Sequence, residues 1–362
     1  MSTVQSRSIA IGQTVWHIRA RLANQRPVLV TCLLGLLLLA AYAGSRDHAS
    51  PLRMRTLPPL SVSLAGVAWS DLTQNSLLLP PRMQPFTTPG YSEPLVDYDT
   101  KLLFCWIPKN ACTQMKTLFV KKEQNIYNIT PEQMDDIHNA VGRKAHRYSR
   151  QMFEKVWYDR SWEKWAIIRE PIERFISGFT EKCGPTSSLV KEKKFGCLGC
   201  NGDLNCFIER HHASLKNVSR NGINYYSKYW DHFYPQFWFC DFEHRLPRFT
   251  ALFKYANEPR FKGTLRSVLV DRGWSRDIVM SSWGPEGSAP FLEEFTLHRS
   301  NIDEKSRVLE QIQSNITLID LLIRTYLIDY LAFGYPFPEW TFDLCSHDRT
   351  SYFVCRLQKY VQ

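Results

Sequence analysis

The stretch Phe104-Cys105-Trp106-Ile107-Pro108-Lys109-Asn110-Ala111-Cys112-Thr113-Gln114-Met115-Lys116 decides the fold. It continues a mostly apolar run, 101–107 (KLLFCWI), that Pro108 closes, the pattern of a short buried strand. Small residues follow, then good helix formers over 112–122. Strand, tight loop and helix in that order make an anion cradle, because loop amides and the positive end of the helix dipole converge. Lys109 adds a mobile positive charge and Thr113 a hydroxyl at the helix start. The loop has no glycine and lacks GxxxxGK[ST], so it is not the P-loop of nucleotide hydrolases. Taken alone, a lysine before a helix is more often a solvated residue.

Working outward, a second apolar run, 165–168 (WAII), ends at Arg169 and Pro171, and 173–179 reads as the start of a helix. Arg169 stands at a strand end and Ser177 on that helix, so both can face one phosphate. The planar guanidinium fork suits phosphate and the serine adds a hydroxyl donor. A further strand is expected at 251–255. Apolar residues from Ile302 to Leu327 recur at near-helical spacing, which predicts one long amphipathic helix ending before Gly334. Strands alternating with helices imply an α/β domain, a parallel sheet covered on both faces.

The 362 residues suffice for one large domain with appendages, and with 44% hydrophobic against 22% charged residues global disorder is excluded. Lys plus Arg number 45 against 35 Asp plus Glu, a net +10 that favours polyanionic partners or serves only solubility. Residues 28–43 (VLVTCLLGLLLLAAYA) are uncharged and almost wholly apolar, preceded by arginines and no acidic residue. That predicts a signal anchor with a cytosolic N-terminus. The expected organisation is a cytosolic tail (1–26), a transmembrane segment (27–44), a Pro-rich stem (45–98) and a single lumenal domain (99–362). Of ten cysteines, nine follow residue 100. Cys183, Cys197, Cys200 and Cys206 admit a zinc knuckle, but a lumenal location favours disulfides. The odd count leaves at least one thiol free or paired between chains, with Cys105 and Cys112 the free candidates, while Cys345 and Cys355 suit a local bridge. Asn128, Asn217 and Asn315 carry sequons.

The segment PKNACT after an apolar strand resembles the 5′-phosphosulfate-binding loop of Golgi carbohydrate sulfotransferases. The pattern RxPxxRxxSxF from Arg169 to Phe179 is similar to their 3′-phosphate-binding motif, and it lies downstream in the expected order. The cysteine-rich stretch 183–208, His232-Phe233-Tyr234-Pro235-Gln236 with Cys240, and Asp329-Tyr330-Leu331-Ala332-Phe333-Gly334-Tyr335 look like the nematode-type branch of the chondroitin 4-O-sulfotransferase-like group. One departure is Asn110-Ala111, where vertebrate relatives commonly carry a glycine.

The resemblance implies the PAPS-dependent sulfotransferase fold, with a P-loop-like parallel sheet flanked by helices, in a single-pass type II Golgi membrane protein. The implied donor is 3′-phosphoadenosine 5′-phosphosulfate, held by Lys109, Asn110, Ala111, Cys112, Thr113, Arg169 and Ser177, and no metal is expected. Lys109 would stabilise the leaving oxygen. His146 occupies a position similar to the base of uronyl 2-O-sulfotransferases, with His138 or a carboxylate as alternatives. His232 reads as packing or acceptor contact. The implied partners are a glycosaminoglycan or other glycan acceptor and a membrane, not nucleic acid. The first-choice acceptor is the 4-hydroxyl of N-acetylgalactosamine in chondroitin. Heparan or another glycan, or a catalytically inactive glycan binder, are the alternatives, and a phosphotransferase is disfavoured by the missing Gly-rich loop and acidic metal cluster.

Overall fold

A computed structural model describes residues 94–122, 150–185, 187, 196–221, 230–256, 259–283, 302–346 and 351–361. Strands β1 (Leu95–Asp97), β2 (Leu102–Cys105), β3 (Glu163–Ile168) and β4 (Ala251–Lys254) form one sheet in that order. The described helices are α1 (Cys112–Lys122), α2 (Arg150–Tyr158), α3 (Pro171–Lys182), α4 (Leu204–Asn221), α5 (Pro259–Asp271), α6 (Arg276–Trp283), α7 (Ile302–Gln313), α8 (Ile316–Phe333) and α9 (Phe353–Val361), with a single turn at Phe242–Arg245.

The expected strands and the helix over 112–122 are present, but the sheet is not wholly parallel. β2, β3 and β4 run parallel, whereas β1 pairs antiparallel with β2, Leu95 facing Phe104. Only residues 98–101 separate β1 from β2, too few for the crossover that a parallel pair requires. The Asp97 carboxylate accepts the Asp99 amide at 3.1 Å and pairs with Lys122 at 2.7 Å, which fastens this hairpin to the end of α1. These strand residues belong to a stretch that reads in the sequence as the end of the stem.

Strand alternation divides the core in two. Leu102, Phe104, Trp165, Ile167 and Phe253 pack against α1, α5 and α6 through Leu118, Phe119, Leu265, Leu269 and Val279. Leu103, Cys105, Ala166 and Ile168 face the other way, onto Phe153 and Trp157 of α2 and onto Trp238, Phe242 and Phe333. Burial on both faces explains why the strands read as continuous apolar runs. A third cluster is helical and joins α3, α4, α7, α8 and α9.

Two further expectations are corrected. The long helix is two helices, because Asn315 caps α8, accepting the amides of Thr317 at 3.0 Å and Leu318 at 3.4 Å. Cys105 is not free but bridged to Cys240. The sheet's alternation accounts for it: Cys105 and Cys240 share one core while Cys112, buried and unbridged, lies in the other. Cys183–Cys197, Cys200–Cys206 and Cys345–Cys355 are disulfides, so the knuckle-like cysteines form bridges. Among the described residues no helix is long and apolar enough to cross a membrane, and 28–43 lies outside them.

Candidate active site

The loop between β2 and α1 and the turn after β3 leave the same end of the sheet, since β2 and β3 are parallel neighbours. Lys109 (φ +70°) and Ala111 (φ +57°) both adopt left-handed backbone, a conformation usually left to glycine. The loop keeps this conformation without glycine because Asn110 anchors it. Its buried side-chain amide donates to Ile167 O at 2.9 Å and to Gln236 Oε1 at 2.6 Å. Asn110 N donates to Ile107 O at 3.2 Å. Asn110 therefore builds the loop from inside, whereas Lys109, Ala111 and Thr113 are half-buried at its surface and Cys112 is buried.

Gln236 connects the loop to the second motif. Its Oε1 also accepts the Arg169 amide at 2.9 Å, and its Nε2 donates to Arg169 O at 2.7 Å. The buried Asp329 carboxylate accepts the amides of Gln236 at 2.8 Å and Phe237 at 2.9 Å. Burial pushes Asp329 up to about 6 despite those bonds. Arg174, fully buried, donates to Pro108 O at 2.9 Å, Tyr234 O at 2.7 Å and Asp231 O at 3.1 Å. One guanidinium thereby ties the residue preceding Lys109 to the turn bearing His232. Glu170 caps α3 by accepting the Glu173 amide at 2.6 Å, and Tyr330 donates to its other oxygen.

Within this frame Arg169 Nη1 donates to Lys109 O at 3.2 Å, and its guanidinium lies 4.8 Å from the Tyr255 ring centroid. The Lys109 ammonium pairs with Glu181, whose other oxygen meets Lys182 at 2.6 Å. Burial alone would raise the Glu181 carboxyl, but the charges of Lys109, Lys182 and His232 outweigh it and hold the group well below the usual range. Lys305 on α7 is half-buried, its ammonium pushed down by burial and then by the charges of Arg169 and Lys109. Ser177, nearly buried, stands one helical turn before Glu181 on α3. Cationic side chains thus converge from the loop, the end of β3 and two helices, a juxtaposition suited to a multiply charged anion.

The structure places Lys109 to Thr113 after β2 and Arg169 at the end of β3, at one end of the sheet, and Ser177 on α3, four residues before Glu181. His146 and His138 lie outside the described residues. Glu181, Lys305, Arg174 and Asp329 escaped the sequence reading as site residues. Arg174 is the second arginine of RxPxxRxxSxF, and Glu181 stands four residues after Ser177 on one helix face.

A model described as the Sulfotransferase family matches residues 92–336, more than half of the chain and all of this site. The chain belongs to the Sulfotransferase family. It is similar to the Putative sulfotransferase vep-2 of Caenorhabditis elegans, 25% identical over 211 residues, which is 56% of this chain and 63% of that protein. Carbohydrate sulfotransferase chst-1 of the same organism is 25% identical over 209 residues, 55% of this chain and 60% of the relative. Carbohydrate sulfotransferase 14 of Danio rerio is 21% identical over 255 residues, 70% and 65% respectively. The chain spans between about half and just under two thirds of the length of its first curated relatives. No solved structure matches it.

Proposed function

We propose that this chain transfers a sulfuryl group from 3′-phosphoadenosine 5′-phosphosulfate to a carbohydrate hydroxyl. The observation that carries the reading is the Arg169–Lys109 hydrogen bond at 3.2 Å, which joins the two phosphate-type motifs in one site. The names of the relatives support a carbohydrate acceptor, and the resemblance of the 183–240 region favours the 4-hydroxyl of N-acetylgalactosamine in chondroitin. A type II Golgi membrane location completes the proposal, with the anchor assigned to residues 27–44.

The residues present fit such a donor. Arg169 Nε is buried and donates no hydrogen bond, its nearest carboxylate oxygen being Glu173 Oε2 at 3.6 Å. A phosphate oxygen would satisfy it. The N-terminus of α1 and Lys109 would take the 5′ end, and Arg169 with Ser177 the 3′ phosphate. When bound, the donor supplies an activated sulfuryl group and a bisphosphate leaving group. Lys109 neutralises charge growing on the leaving oxygen, while Arg169 and Ser177 fix the orientation that an in-line transfer requires.

The test is radiolabelled sulfate transfer by the purified full chain to a panel of glycan acceptors. Lys109→Ala is expected to lower turnover by about 10²–10³-fold. Arg169→Ala should weaken adenosine 3′,5′-bisphosphate binding by roughly 30-fold or more. Transfer to no glycan, or wild-type behaviour of both variants, contradicts the reading.

A further inference from the structure

Beside the Lys109 loop stands a second group of titratable side chains. A single helical turn, Trp230–His232, carries Asp231 and His232. The Asp231 carboxylate is 2% exposed and its Oδ1 lies 2.6 Å from His232 Nδ1, whereas His232 keeps 19% of its side chain open. The approach is close but off the hydrogen-bond line, a looseness common in such pairs before the reacting partner binds.

Three contacts place this pair at the site. Arg174 holds Asp231 O and Pro108 O on one guanidinium, so Lys109 and His232 are each one residue from the same clamp. A Cβ added to Gly178 would lie 3.3 Å from His232 O, so this turn packs against α3 next to Ser177. The His232 charge reaches Glu181, which itself pairs with Lys109. The groups acting on the pair are Glu181 on His232, with Lys109 and Lys182 beyond it, and, on Asp231, Arg174 from α3, Tyr234 and Lys116 from α1. The last is a buried lysine over the Trp106 ring whose charge acts on Asp231.

Sulfuryl transfer to a hydroxyl needs a proton acceptor, and an imidazole oriented by a buried carboxylate is the arrangement that supplies one near neutral pH. We propose that His232 takes the proton of the acceptor hydroxyl, with Asp231 as its positioning partner, an assignment that rests on the sulfotransferase reading above. With Nδ1 close to Asp231, Nε2 is left to accept the proton of the incoming hydroxyl. As the bond from sulfur to the donor's phosphate oxygen breaks, its electron pair stays on that oxygen beside Lys109. The hydroxyl oxygen bonds to sulfur and its proton passes to Nε2. The imidazolium, held by Asp231, then releases the proton to water through its exposed edge.

The experiment compares the full chain with His232→Ala, Asp231→Asn and His146→Ala, measuring turnover across pH and the affinity for adenosine 3′,5′-bisphosphate. His232→Ala should lose about 10²–10⁴-fold in kcat. Its bisphosphate affinity should stay at the wild-type value, which also reports an intact fold, and added imidazole should restore part of the turnover. Asp231→Asn should lower kcat and move the acidic limb of the pH profile to lower pH, because an imidazole without its carboxylate protonates less readily. His146→Ala should keep that limb. Wild-type turnover in His232→Ala, loss of bisphosphate binding together with turnover, or disappearance of the acidic limb in His146→Ala would each overturn the assignment. A wild-type chain that neither binds the bisphosphate nor transfers sulfate would overturn the sulfotransferase reading itself, an outcome separate from these.

Discussion

The site end of the sheet and the helical layer of α3, α4, α8 and α9 are held together by different means. At the sheet, buried polar side chains bind residues far apart in sequence. Asn110 meets Gln236 across 126 positions, Gln236 meets Asp329 across 93, and Arg174 meets Pro108 across 66. In the helical layer, apolar packing is reinforced by local bridges that close loops of 14, 6 and 10 residues. Buried polar networks cost much when half broken, but they fix side-chain position closely. Local bridges mainly restrict the unfolded chain. The difference teaches where precision is needed: the loop that would meet the donor hangs on the polar network, whereas the local bridges close short loops in the helical layer, Cys183–Cys197 beginning two residues past Glu181.

Two sets of variants press on that contrast. Arg174→Met leaves three buried carbonyls without their donor and unfastens the Lys109 loop from the His232 turn. It should destabilise the chain by about 3–5 kcal/mol in urea denaturation and abolish transfer. Removing Cys200–Cys206 by double serine substitution should cost only about 2 kcal/mol and leave transfer intact. Equal losses of activity in the two variants would erase the distinction.

A smaller effect separates two buried carboxylates. Asp329, with its pKa pushed up to about 6 by burial, contributes stability that is fullest below its unfolded value of 3.8 and is lost as pH rises toward 6. Glu181 has the opposite sign. Its lowered pKa contributes stability present above 4.5 and lost as pH falls below it. Urea midpoints of the wild type against Asp329→Asn and Glu181→Gln, followed from pH 3 to 7, should diverge in these opposite directions. Parallel trends would contradict the charge assignments around Lys109.

Much of the sheet was legible because strands buried on both faces leave apolar runs, and Pro108 and Pro171 mark their ends. The helix at 112–122 followed from its formers. Legibility failed where structure depended on distant partners. Nothing local to Cys105 points to Cys240, 135 positions away. Leu95–Asp97 is too short and too close to prolines to read as a strand, although its partner strand completes it. Asn315 carried a capping signal, but continuous apolar spacing on both sides masked the break. In the site, Lys109, Arg169 and Ser177 stood out through motif spacing. Gln236 drew notice only through its neighbours, and Glu181 and Asp329 gain meaning only once α3 and α8 pack against the sheet.

The most direct test is a crystal structure of the full chain with adenosine 3′,5′-bisphosphate. The ligand's 5′ phosphate is expected at Lys109 and the start of α1, with its 3′ phosphate on Arg169 and Ser177. A bisphosphate bound away from these residues, or touching only one of the two motifs, would contradict the account.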